Sequence, residues 1–266
     1  MKPIAVAALA AALFLTACAD HQVQTSSGAD WLSRYEAPPA LPAQQAGEGA
    51  APGLDERVRM AAAVEPLLRF PARIGLARVV NRRLTTLPAD EAAIWAELAE
   101  AHAELGSFVA VQPLIAASAV ADTGGPDLSR GWSDPSDVIA TIRIGAARQH
   151  IDAVLVYEAG VRADKTATGL GFADLTIIGG AILPTRSIEV EGRAAALLLD
   201  VRNGYPYGTA TASADLSRLS PSWGSDRRME RMQGEALLEV TRRLVPEVEA
   251  MFTGLLAARQ AAGPDS

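Results

Sequence analysis

The chain has 266 residues, carries 24 lysines and arginines against 31 aspartates and glutamates for a formal charge of −7, and is 49% hydrophobic but only 5% aromatic. Its length fits one large domain or two small ones, and one is expected. An acidic surface repels phosphate and so few aromatic rings offer little for bases to stack on, which excludes nucleic acid and leaves surface charge unable to hold the chain on a membrane.

The first element is a single positive charge, Lys2, followed by an apolar run over residues 4–15. That run is too short to remain as a membrane span but has the length of a signal-peptide core. It closes on Leu15-Thr16-Ala17-Cys18, which resembles the lipobox of bacterial lipoproteins. The resemblance implies removal of a lipoprotein signal peptide, residues 1–17, and acylation of Cys18, which becomes the new N-terminus and attaches the chain to a membrane through its lipid. Ala19 after the cysteine resembles the pattern of delivery to the outer membrane, on its periplasmic side. Cleavage removes one lysine and no acid, so the mature 249 residues carry a charge of −8. Cys18 is the sole cysteine, so no intrachain disulfide is possible and stability must come from packing.

Residues 18–53, rich in Ala, Gln, Gly and Ser with Pro38, Pro39 and Pro42, read as a flexible tether. A single α/β domain is expected over 54–258, with a disordered tail at 259–266. It opens with a short helical segment over 54–68. The compact apolar run 74–80 then reads as a strand. Pro88, Asp90 and Glu91 mark a helix start, Trp95 and Leu98 its buried face and Gly106 its end. A second, parallel strand follows at 108–113. After a surface loop at 121–133, a helix should run from Asp134 to about Gln149. Ile151 to Tyr157 is almost unbroken in hydrophobicity, which places it at the sheet centre with both faces covered. Residues 162–171 read as a polar loop and 175–183 as an apolar piece interrupted by Gly179 and Gly180. A long strand is expected at 188–199, half exposed and then buried. Asn203-Gly204 predicts a type I′ turn and a return strand. In that strand Tyr207, Thr209, Thr211 and Ser213 form a polar face, and Gly208, Ala210, Ala212 and Ala214 a face of small residues on which the last helix, 225–256, can pack closely. Pro246 should kink or restart that helix. The expected fold is therefore α/β with α+β character: a mixed sheet of about five strands in the order β-α-β-α-β-β-β-α, with helices packed on it.

Tests for chemistry return little. His21, His102 and His150 have no metal-ligand spacing, so neither a metal nor another cofactor is expected. Ser225 lacks the second glycine of a nucleophile elbow, and Gly169-Leu170-Gly171 lacks the third glycine of a phosphate cradle. Asp152, at the mouth of the central strand, is the one carboxylate placed for a role, and a structural contact is the heavier expectation. No catalytic residue is expected.

The ordered set Leu68 to Ala77, Phe108 to Val111, Ile151 to Val156, Leu175 to Gly179 with Pro184, and Leu198 to Val201 before a hairpin resembles the rhombotarget-type bacterial lipoproteins over residues 54–255. That family's C-terminal apolar sorting tail has no counterpart here. A weaker likeness is to the periplasmic α/β domains of the curli-secretion lipoprotein and of the translocation protein TolB. The resemblance implies a non-catalytic, periplasm-facing binding or assembly domain with an envelope protein as partner. A subunit of an oligomeric secretion complex is the alternative, and a hydrolase the third reading. A strand pair projecting from the sheet would favour the second, a polar cleft around Asp152 the third. Pro206 cannot donate to a ladder, so the return strand should be a sheet edge, and Tyr207, Thr209, Thr211 and Ser213 the surface for a partner strand.

Overall fold

The computed structural model describes residues 20–34, 53–126, 135–167, 186–220 and 225–262. Its strands are β1 (Asp20–Val23), β2 (Ala72–Val80), β3 (Arg83–Thr85), β4 (Gly106–Ala110), β5 (Ala153–Ala167), β6 (Arg186–Asp200) and β7 (Pro206–Ser220). Its helices are α1 (Gly28–Ser33), α2 (Leu54–Ala62), α3 (Ala89–Ala101), α4 (Pro113–Thr123), α5 (Pro135–Arg148) and α6 (Ser225–Ala262). One mixed seven-stranded sheet runs β1-β7-β6-β5-β2-β3, with β4 also on β2. The strands β4 and β5 are parallel to β2, and the other pairs are antiparallel.

This is the expected α/β architecture with its mixed sheet and layered helices, enlarged by elements that leave a weak trace in sequence. The apolar run at β5 is central, and Ala153, Val154 and Leu155 are wholly buried. Successive strand residues point to opposite faces. Ile74, Leu76, Leu155, Tyr157 and Leu198 therefore pack under α3 and α6, while Ala77, Val79, Val154 and Leu199 pack under α4 and α5. The small-residue face of β7 does what its composition implies. Ala210, Ala212 and Ala214 are buried beneath α6, and a Cβ on Gly208 would lie 2.9 Å from the Met251 side chain.

Several expectations are corrected. Residues 20–34 are not a loose tether: β1 pairs with β7 from Asp20↔Thr211 to Val23↔Gly208, and α1 follows directly. Strand addition is made by backbone groups, so Asp20-His21-Gln22-Val23 needs no hydrophobic alternation to join. Residues 35–52 lie outside the described residues. The strand expected at 108–113 ends at Ala110, and Pro113–Thr123, whose last residues are expected in the loop 121–133, is helix α4, with Pro113 in its first turn and Gly124 as a left-handed cap at φ 66°. The loop expected at 162–171 begins as strand, since β5 continues to Ala167. The apolar piece 175–183 and the glycine pair at Gly169 and Gly171 lie outside the described residues. The last helix passes residue 258 and ends at Ala262.

The turns also change places. Asn203-Gly204 does not close a two-residue type I′ turn. The loop spans five residues, only Gly204 has positive φ (78°), and the Gly204 N–H donates to the Asp200 carbonyl at 3.0 Å. The two-residue left-handed turn is instead Asn81-Arg82, φ 50° and 60°, which joins β2 to β3. Asn203 favours the longer loop because its side chain is used at both ends: Oδ1 accepts from the Tyr205 N–H and Nδ2 donates to the Glu65 carbonyl.

Candidate functional site

At the loop end of the β6–β7 hairpin, Asp200 is fully buried and surrounded by donors. Arg202 donates to both of its oxygens at 3.0 and 2.9 Å, the Arg202 N–H adds a third bond, and the Tyr207 hydroxyl donates to Oδ2 at 2.9 Å. Burial alone would push the Asp200 carboxyl up, but the Arg202 and Tyr207 bonds outweigh it and hold the group below the usual carboxylate range. Tyr207 in turn accepts from the Leu67 and Leu68 N–H groups at 2.8 and 2.6 Å. Burial pushes its hydroxyl pKa up. The irregular segment 64–71 is thereby fastened to the hairpin by one tyrosine.

Tyr207 was expected on the exposed polar face and is instead buried. A β-bulge between Leu198 and Leu199 shifts the register there, and it turns Tyr207 toward the helix side while Thr209 and Thr211 stay exposed. Ser213 is half-buried. The edge assignment is likewise corrected over part of the strand, because β1 occupies the outer flank of β7 at residues 208–211. Next to it the Arg243 guanidinium of α6 donates to the Ser213 carbonyl at 3.1 Å, a charge set on the edge by a helix rather than by a strand lysine. From residue 214 to 220 no described strand pairs with that flank. Cys18 lies outside the described residues, two positions before β1.

A groove of about 470 Å³ lies between this N-terminal arm, segment 65–70 and the end of α6. Its lining mixes apolar residues, Leu67, Phe70 and Leu255, with the polar and charged Ser27, Asp30 and Arg259. Glu65, also on its wall, is committed to structure. Its Oε1 accepts from the Ser27 hydroxyl and the Ala29 N–H, which clamps the start of α1.

Neither a protein-family model nor a curated protein matches the chain. Among solved structures it is similar to the PelC dodecamer from Paraburkholderia phytofirmans, at 14% identity and TM-score 0.28 over 67% of this chain and 89% of that one. It is similar to the rare lipoprotein B from Shewanella oneidensis at 11% identity and TM-score 0.30, covering 69% and 98%. It is similar also to lipoprotein GNA1162 from Neisseria meningitidis at 14% identity and TM-score 0.28, covering 73% and 100%. Likenesses this distant assign no activity and no partner, so function has to be argued from the chain's own residues.

Asp152 and Glu91 make structural contacts. Asp152 Oδ2 accepts from the Arg73 N–H at 2.8 Å and its backbone bonds Arg73 and Val201, so it stitches β2 to the start of β5 and the end of β6. Glu91, in the first turn of α3 as expected, is buried. Arg78 reaches it at 2.8 and 3.0 Å and the Tyr157 hydroxyl donates to it at 2.7 Å. Among the described residues no group of three or more His, Cys, Asp or Glu is placed to hold a metal ion.

His102 is more than a solvated helix residue. It caps α3, with Nδ1 3.0 Å from Glu104 and Nε2 2.8 Å from Glu249 of α6. The hydrogen bond to Glu104, then that to Glu249, raises its pKa above the ordinary 6.5. A raised folded-state pKa means the charged ring favours the folded state. This contribution is complete below pH 6.5 and fades as pH rises through the folded value. The urea midpoint of the wild type should therefore fall, relative to that of His102→Gln, as pH is raised from 6 to 8; parallel profiles would show that the bridge contributes nothing.

Proposed function

We propose that the chain is a lipid-anchored bacterial envelope protein. In this reading Cys18 carries the acyl chains, and the α/β domain faces the periplasm and binds an envelope protein by strand addition along residues 214–220 of β7. The observation that carries the binding role is the outer flank of β7. It is closed by β1 and Arg243 up to Ser213, and beyond that point it meets no described strand. Backbone groups on such a flank supply affinity without demanding a particular sequence.

A second reading, subunit of an oligomeric assembly, is favoured by the length of β5, β6 and β7. Each has 15 residues, and the ladders continue to Ala167↔Arg186 and Arg186↔Ser220. Beyond Glu158 of β5 and Thr211 of β7 the outer flanks of this three-stranded ladder pair with no described strand, which suits contact with a neighbour.

A photo-crosslinking residue at position 217 should give a discrete protein adduct in intact cells, while one at Thr209, whose backbone is already taken by β1, should give none. Adducts of equal yield from both positions, or from neither, would refute strand addition at this edge.

A further inference from the structure

The exposed apolar side chains among the described residues are concentrated in the N-terminal part of the chain. Eight large hydrophobic residues are exposed among the described residues, and six of them, Val23, Trp31, Leu54, Val58, Met60 and Leu67, belong to the first 67 positions. The helix α2 buries none of its nine residues. Leu54, Val58 and Ala61 recur at i, i+4 and i+7, which places them in one stripe. Leu54 is 68% and Val58 48% exposed.

These elements sit together. A Cβ on Gly28 would fall 1.9 Å from the Ala62 carbonyl oxygen, so α1 is in direct contact with the end of α2. Trp31 and Ala61 line one crevice with Tyr205 and Pro206, at the start of β7, and β1 lies along the same strand. The arm β1-α1-α2 thus covers the β7 side of the sheet from Thr211 to the hairpin loop.

Two further facts point to what meets this flank. Only Ala19 separates Cys18 from Asp20, a span of at most about 7 Å, so an acylated Cys18 would hold the β1 edge at the headgroups instead of on a long leash. The charges of α2 also cancel, Asp55 and Glu56 against Arg57 and Arg59, in a chain that is otherwise strongly acidic. A neutral amphipathic helix can enter an interface from which an acidic surface is repelled.

We propose that the flank formed by β1, α1 and α2 rests on the bilayer, with Leu54, Val58 and Trp31 in the headgroup region. This rests on the reading of Cys18 as the anchor. The lipid supplies attachment, since two or three acyl chains suffice for it. The apolar flank fixes orientation, and it leaves the far edge of the sheet, at β3, turned away from the membrane.

With Cys18 acylated, an introduced cysteine is the one free thiol. The full lipidated protein, labelled with an environment-sensitive fluorophore at Val58→Cys or at Arg83→Cys on β3, is reconstituted in phosphatidylethanolamine–phosphatidylglycerol vesicles containing spin-labelled lipid. The Val58 label should emit to the blue of the Arg83 label and be quenched several-fold more strongly by the spin-labelled lipid. Protein that floats with the vesicles while its Val58 label is as water-exposed as the Arg83 label overturns the seating alone. A blue-shifted but unquenched Val58 label means that a second copy covers the stripe, and it overturns the proposal too. Protein that does not float overturns the Cys18 reading and this one with it.

Discussion

Arg78→Ala should destabilise the domain by about 3–5 kcal/mol, because it leaves Glu91 as an uncompensated buried charge. Glu91 is 1% exposed, and its oxygens are held by the Arg78 Nε and the Tyr157 hydroxyl, whose ring centroid lies 5.1 Å from that of Trp95. The desolvation cost of the carboxylate persists when the guanidinium is removed, whereas replacing both partners removes the cost together with the attraction. The double variant Arg78→Met/Glu91→Leu should therefore lose much less than Arg78→Ala alone. Urea unfolding of the two measures this directly. A single-variant loss within about 0.5 kcal/mol, the usual range for exposed positions, would mean that the pair is not buried as described.

Gly208→Val should expel β1. A Cβ at Gly208 would stand 2.3 Å from the Gln22 carbonyl oxygen of β1 and 2.9 Å from Met251 of α6. The nearest obstacle is backbone, which cannot rotate away. Overpacking of this kind typically costs about 1–3 kcal/mol, and the cheaper escape is for the four-residue strand to leave its ladder. The His21 contact to Glu247 at 3.1 Å and the Gln24 N–H bond to the Tyr207 carbonyl at 2.8 Å should be lost with it. Amide exchange over residues 21–24 should accelerate to the rate of an unpaired segment, with little change at Thr209→Ala, whose side chain is exposed. Protected amides in Gly208→Val would show that the arm has another purchase on the sheet.

What the sequence disclosed, and what it concealed, follows from the range of the forces involved. The central run Ile151 to Tyr157, the small residues of β7 and the stripe of α6 are written in local pattern, so the order of the main strands and helices was legible. The β1 strand has no pattern of its own, since its partner provides the hydrogen bonds. The α4 helix did carry signals, Pro113 at its start and Gly124 past its end, but its many alanines blur the period. The burial of Glu91 depends on Arg78, thirteen positions earlier on another element, and no local rule joins them. The bulge at Leu198 and Leu199 reverses the side on which Tyr207 falls, which turned an expected surface residue into the fastening of segment 64–71. That β7 lies toward one side of the sheet was legible, but the pairing of β1 along residues 208–211 and the Arg243 contact at Ser213 were not.

The central claim is that Cys18 is acylated and holds the β1 edge at a membrane, and the intact mass of the protein extracted from membranes tests it most directly. The account predicts a 249-residue chain beginning at Cys18 with the added mass of a diacylglyceryl group, and a Cys18→Ala protein that leaves the membrane fraction. A membrane-bound protein whose Cys18 is unmodified, or a Cys18→Ala protein that still fractionates wholly with membranes, would contradict it.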